Sequence, residues 1–416
     1  MVLLAFILSG FVILLGFIGN YLFKKTGIPD ILILVLLGWL VGPFFKMVDP
    51  SVLATFSQFF ISLALLLILF DGGLNLNINR VFRESPRAFA LAILGFSITV
   101  LITAVFCRFL LGWDLIYGVL FGVIIGGSSS SIVIPIISRI KISPKISTLL
   151  SLESTFTDAI VVVSGITLIQ LLVANVSGNS LYIFAQGIAN AFSTGAMLGI
   201  LVGIIWLRVL KYVQGEIYDD VLTLAIALLF YGVVESLGGN GAIFALMFGL
   251  ILGNGKEISE FLKMKDCVQA NQIMKKFHSQ MSFLIRSFFF VYIGMILTVY
   301  SNLTFYYGIL LTLLLVLGRY FVSFMISSRE NDLRNYRGVI TLMLPRGLAA
   351  AVVAQLIVSY GILHSQEISD LTITIIVSTV VVAAVGASLI RLKTLKEEKE
   401  VKKENNKSRN NKNSEQ

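Results

Sequence analysis

The chain has 416 residues, of which 57% are hydrophobic and 13% charged, with a mean hydropathy of +0.91. These values exclude a soluble globular protein and describe a chain that crosses a membrane many times. The net charge of +9 does not require nucleic acid, because cations in short loops beside anionic lipid account for it.

Apolar runs predict spans at 2–23, 28–46, 52–71, 87–111, 115–138, 148–175, 180–210, 219–237, 240–254, 281–300, 304–327, 338–361 and 368–390. Each approaches the roughly 20 residues that cross a hydrocarbon core about 30 Å thick. Ten-residue in/out alternation, the mark of a membrane β-barrel, is absent from these runs, so the fold class is all-α and polytopic with about 13 helices. The first run lacks a basic leader region and reads as a span, not a cleaved signal.

Charge placement supports the count. Alternate loops hold Lys24 and Lys25; Arg80, Arg83 and Arg87; Arg139, Lys141 and Lys145; Arg208 and Lys211; Lys256, Lys263, Lys265, Lys275 and Lys276; and Arg329, Arg334 and Arg337. The intervening loops hold only Lys46. The positive-inside rule then puts the basic loops and the C-terminus in the cytoplasm and the N-terminus outside a cytoplasmic membrane. Residues 1–390 form the transmembrane domain, and 391–416 a basic tail that starts as a helical extension and reads as disordered further on. Cys107 lies in a span and Cys267 in a loop, which suits neither a disulfide nor a metal centre. No cofactor is expected. His278 and His364 read as loop-proximal, solvated residues.

A weak internal repeat is visible. Gly27 to Gly42 echoes Gly238 to Gly253, with glycines at matching positions that include Gly38 with Gly249. Leu69-Phe-Asp-Gly72 resembles Val291-Tyr-Ile-Gly294. The first copy follows a basic loop and the second a loop on the opposite side, so the two halves are inverted in the membrane.

Two acids stand in the middle of the sixth span, Glu153 and Asp158. A charge at that depth is costly unless it is paired or faces water, and it marks a functional site. At five residues apart, roughly 140° around a helix, the two do not share a face. Ser154 with Asp158, and Glu153 with Thr157, do share faces at i,i+4, and a carboxylate with a hydroxyl is a hard-oxygen set suited to a cation such as Na⁺. Arg319, at similar depth in the eleventh span, is the economical partner for Glu153. Arg346, Arg286 and Arg108 are the other candidate partners. The fifth span carries Gly126-Gly127-Ser128-Ser129-Ser130-Ser131, which reads as an unwound stretch whose carbonyls and hydroxyls line the site. Gly318 is the corresponding weak point expected in the other half.

Taken together, Thr26-Gly-Ile-Pro with Gly38 and Gly42-Pro43, Leu69-Phe-Asp-Gly-Gly73, Glu153-Ser154 with Asp158, Phe288-Phe-Phe with Ile293-Gly294, Arg319 and Pro345-Arg-Gly347 resemble the monovalent cation:proton antiporter superfamily. The likeness is to its sodium/proton exchanger branch of bacterial and archaeal type, and it covers nearly all the chain except the tail. It implies an antiporter fold of two inverted repeats with broken crossing helices. It also implies a homodimer whose core domain moves against a scaffold, carrying ions across the bilayer.

The same resemblance implies that Asp158 takes either Na⁺ or H⁺ and that Ser154 helps to ligate the ion, while Glu153 pairs with Arg319. Ser128, Thr157 and Glu153 complete the expected ion-binding set, and Ser129, Ser130 and Arg346 its support. The chain departs from the branch at two places. Thr157-Asp158 stands where Asn-Asp is usual, and Ser128-Ser129-Ser130 where Thr-Asp-Pro is usual. A single titrating acid implies electroneutral one-for-one exchange. The serines leave Na⁺, Li⁺ and K⁺ open as the cation; the alternatives are a K⁺/H⁺ antiporter or K⁺ efflux system of the same superfamily and, in a different class, an organic-anion symporter of similar fold. No nucleophile–base pair points to an enzyme.

Overall fold

The computed structural model describes residues 2–26, 30–47, 50–137, 140, 142–173, 180–213, 218–263, 271–296, 302–328 and 331–414. Among these there are helices and no strands. They are α1 (Val2–Thr26), α2 (Asp30–Trp39, prolonged by a π-helical turn Leu40–Phe44), α3 (Pro50–Asn75), α4 (Ile78–Phe106, prolonged by a π-helical turn Cys107–Leu111), α5 (Leu115–Ile124), α6 (Ser130–Ile137) and α7 (Pro144–Val173). There follow α8 (Ser180–Val213), α9 (Asp219–Ser236), α10 (Gly241–Gly253), α11 (Gly255–Phe261), α12 (Gln272–Ile296), α13 (Asn302–Ser327), α14 (Asn331–Asn335), α15 (Arg337–Leu342), α16 (Leu348–Ser359) and α17 (Ser365–Ser414).

Each predicted span coincides with one helix or one interrupted helix. Five stretches, 86–111, 144–173, 189–213, 303–327 and 365–390, are long and apolar enough to cross a membrane unaided. The remaining spans are shorter, polar at one end or broken, which is possible where neighbouring helices cover the backbone. Cys267 and the 174–179 connection lie outside the described residues. Helix α17 continues through the tail to Ser414, where the sequence predicts early loss of helix. Lys and Glu up to Glu404 favour the helix once α17 has nucleated it, whereas the Asn-rich run 405–414 has no such preference.

Packing sorts the helices into two bundles. In one, α3 lies on α10, α2 on α12, and α8 and α9 flank α10. In the other, α4 packs on α5, α7 and α13, while α17 packs on α13 and α16. The bundles meet where α16 lies against α3 and α12, and where α7 touches α8 and α10.

The inverted repeat appears in this packing as a register. A methyl group at Gly38 of α2 would collide with the Val291 carbonyl of α12, and one at Gly249 of α10 with the Phe70 carbonyl of α3. Gly294 sits against the Val35 carbonyl in the same way, and Gly73 against that of Leu246. In both pairs of contacts the first-half residue on α2 recurs 211 residues later on α10, and the α3 residue recurs 221 residues later on α12. Gly73, not Gly72, is therefore the counterpart of Gly294. Gly72 has open space around it, and the Gly-Gly doublet hid this one-residue slip from the sequence.

Two of the described spans are interrupted near their middles. The α5–α6 span opens over Gly126–Ser129, and the α15–α16 span over Met343–Gly347. The Ser129 amide donates to the Pro345 carbonyl at 2.8 Å, so the openings cross and satisfy each other. The expected weak point at Gly318 is not one, since α13 runs unbroken through it. Pro345, which has no N–H and cannot continue a helical ladder, accounts for the break lying in the following span.

Candidate functional site

The crossing openings rest on two threonines related by the repeat. Ser128 N–H donates to Thr157 Oγ1 on α7 at 3.1 Å, and Arg346 N–H donates to Thr379 Oγ1 on α17 at 3.0 Å. Thr379 also donates its hydroxyl back to Ile375 O, while the one hydroxyl proton of Thr157 is shared between Ser128 O and Ser154 O. Each threonine thus supplies an acceptor to an amide that the broken helix has orphaned.

The backbone is repeated, but the chemistry is not. In the first half α7 contributes Glu153 and Asp158. Both Glu153 oxygens face Arg319, with Nη1 to Oε1 at 3.0 Å and Nη2 to Oε2 at 2.9 Å. Ser128 Oγ donates to Glu153 Oε1 at 3.0 Å, and Arg319 Nε donates to Ile340 O at 3.1 Å. Glu153 is 1% exposed and Arg319 7%, so this is a buried bidentate pair. Arg346, 5% exposed, donates through Nη2 to Thr99 Oγ1 at 3.2 Å and has no carboxylate partner among the described residues.

Asp158 points elsewhere. Its Oδ2 accepts from Ser130 N–H at 2.9 Å and from Ser130 Oγ at 2.6 Å. Ser130 is the first residue of α6, so the carboxylate also caps that helix. Asp158 lines a pocket of about 30 Å³ at the junction of the bundles. Leu65, Ile68 and Leu69 of α3 form one wall, Leu348, Ala349 and Val352 of α16 another, and Ser129, Ser130 and Ser131 the polar corner. Asp158 is the sole titratable group in this lining. The volume fits about two water-sized species, or a small cation with one water.

Among the expected ion ligands, Ser128, Glu153, Ser154 and Thr157 do not line the pocket. Ser128 and Glu153 are occupied in the arginine pair, and Thr157 in holding the Ser128 amide. Ser154 Oγ turns back to Ser151 O at 3.1 Å, a bond that helical serines make readily and that i,i+4 spacing does not reveal. Ser129 and Ser130, expected as support, do reach the pocket. The apolar walls from α3 and α16 carry no chemical signature in the sequence.

Several other polar residues of the spans have local partners. Arg286 pairs with Asp30 at 3.5 Å, and Arg108 with Asp114 at 3.6 Å. Asp71 accepts from Ser279 Oγ at 3.0 Å and Asn75 Nδ2 at 2.9 Å. His278, expected to be solvated, is buried edge-on to Phe70 and Phe277, because α12 begins earlier than the predicted span and carries it inward. His364 stacks on Trp113, with ring centroids 4.6 Å apart.

Crossed, interrupted helices in an inverted repeat, with one carboxylate open to a bundle junction, define a polytopic protein built on the plan of secondary transporters. The chain belongs to the sodium/hydrogen exchanger family, whose transmembrane model matches residues 10–391. It is 26% identical over 281 residues to a protein described as probable Na(+)/H(+) antiporter 2 of Methanocaldococcus jannaschii, a match covering 65% of this chain and 64% of that one. It is 29% identical over 236 residues to the K(+)/H(+) antiporter NhaP2 of Shewanella sp. strain ANA-3, covering 56% of this chain and 40% of the relative. The matched segment thus spans less than two thirds of these relatives. The solved structure of the sodium proton antiporter MjNhaP1 from M. jannaschii at pH 8 superposes with a TM-score of 0.76 at 23% identity, covering 94% of this chain and 99% of that one. At that identity the likeness is one of fold.

Proposed function

We propose that this protein exchanges a monovalent cation, Na⁺ in the first place, for H⁺ across the cell membrane. The N-terminus lies outside and the C-terminus in the cytoplasm. Cation and proton compete for Asp158, so the site carries one or the other and crosses the low-dielectric barrier neutralised. The observation that carries this reading is the inequality of the two acids. Glu153 is closed by Arg319 and Ser128, while Asp158 alone faces the pocket.

With one exchanging acid, turnover moves one cation against one proton and no net charge. The bundle of α4–α7 and α13–α17 carries the site past the α3 wall, an elevator-like movement, while the other bundle serves as scaffold and homodimer contact. The lining has a carboxylate and no cationic side chain, which suits a cation and offers an organic anion no counter-charge. K⁺ is the second reading, favoured by the similarity to K(+)/H(+) antiporters.

Proteoliposomes loaded with a pH dye and given outward gradients of Na⁺, Li⁺ or K⁺ test both readings. The expected result is proton movement driven most strongly by Na⁺ and abolished in Asp158→Asn. Preserved exchange in that variant would contradict the role of Asp158, and a preference for K⁺ would replace the cation.

A further inference from the structure

We infer that the hydroxyls of Ser129, Ser130 and Ser131, not those of Ser154 and Thr157, supply the side-chain oxygens that join Asp158 in holding the cation, with Ser130 setting its affinity. This rests on the reading of Asp158 as the exchange site and goes beyond it by naming the ligands.

The geometry separates the two carboxylate oxygens. Oδ2 is held by the Ser130 amide and hydroxyl, whereas Oδ1 has no hydrogen-bond partner among the described residues and is left for the pocket. The amide is fixed by the start of α6. The hydroxyl is a rotor with one donor and two lone pairs, so it can leave Oδ2 to the amide and turn a lone pair to an arriving cation. Ser129 Oγ and Ser131 Oγ lie 3.0 Å apart in the same lining. One of them donates to the other, so at least one presents a lone pair. Asp158 Oδ1, Ser130 Oγ and this serine pair form a hard-oxygen set that one water completes in the available volume.

The surroundings concentrate this role on the serines. The walls from α3 and α16 offer only Leu, Ile, Ala and Val side chains to the pocket. Helix α10, which also packs on α7, has no titratable residue between Gly241 and Gly253. Beside the crossing stand the charged groups Glu153, Arg319 and Arg346. Glu153 and Arg319 are closed on each other, and none of the three lines the pocket.

The test is the apparent cation KM and maximal rate of the full-length protein in proteoliposomes, with Na⁺, Li⁺ and K⁺ as probes. Ser130→Ala is expected to raise KM about tenfold, the loss of one ligand to a charged species, while the maximal rate changes less than about twofold. Ser131→Ala is expected to raise KM severalfold, and Ser130→Thr, which keeps the hydroxyl, to restore the wild-type value. Ser130→Pro removes both donors at a first-turn position that tolerates proline and is expected to raise KM at least as far as alanine does. A KM that rises in Ser154→Ala and stays unchanged in Ser130→Ala would overturn the inference. So would a fall in maximal rate for Ser130→Ala at unchanged KM, the sign of a merely structural residue. Both outcomes are distinct from failure of the underlying reading, which shows as exchange surviving in Asp158→Asn.

Discussion

Arg319 grips Glu153 through two parallel hydrogen bonds of 3.0 and 2.9 Å, joining α13 to α7 beside the crossing of the broken helices. The pair neutralises the nearer acid and anchors the unwound serine segment, because Ser128 Oγ donates to the same carboxylate. It also separates support from exchange: one carboxylate holds the fold, and the other is left open.

Breaking one side of this pair should cost more than removing both. Glu153→Gln leaves Arg319 buried without a counter-charge, a loss of about 3–5 kcal/mol. Thermal unfolding in detergent should therefore show Glu153→Gln far below wild type and the Glu153→Gln/Arg319→Gln double variant partly recovered. Equal melting temperatures for the single and double variants would contradict the pairing.

The packing register makes a sharp contrast between adjacent glycines. Gly73→Ala should destabilise the protein, since the new methyl group meets the Leu246 carbonyl. Gly72→Ala, in open space within a helix, should be neutral or stabilise by up to about 1 kcal/mol. The two variants compared by yield and melting temperature test the register directly, and a reversed order would put Gly72 at the interface.

Thr157 and Thr379 should have parallel roles. Replacing either with Val orphans a buried amide of a crossing segment, at a cost of about 1–3 kcal/mol. Melting temperatures lowered to a similar extent are the expected outcome. A large loss for one and none for the other would show that the repeat does not extend to the support of the crossing.

One-for-one exchange predicts indifference to voltage. A potassium-diffusion potential imposed with valinomycin, in assays driven by Na⁺, should change neither the rate nor the end point of proton movement. Clear acceleration by an inside-negative or inside-positive potential would require additional charge to move.

Much of this architecture was legible because hydropathy and charge report it directly. Long apolar runs give the spans, and Lys and Arg in alternate loops give their alternation. Glu153 and Asp158 stood out because acids are expensive in hydrocarbon, and the angle between them already separated their environments. The position of the second break was not legible. Gly318 and Pro345 are both helix-weakening residues, and the unbroken run of α13 together with the contact of Ser129 with Pro345 distinguishes them. The hydroxyl partners were hidden for a similar reason. Spacing puts Ser154 on the face of Asp158, but its hydroxyl finds a closer acceptor in Ser151 O, while Ser130 arrives from another helix through a contact 28 residues long. The pocket walls come from leucines and valines that look like any other lipid-facing or core residue.

The most direct test of competition at Asp158 is proton release on cation binding. Purified protein in weakly buffered detergent solution, near the pH where exchange is half-maximal, receives saturating NaCl while a pH dye is followed. The account predicts release approaching about one proton per chain as the starting pH is lowered, lost in Asp158→Asn and retained in the Glu153→Gln/Arg319→Gln variant. No release from wild-type protein that binds Na⁺, or undiminished release from Asp158→Asn, would contradict it.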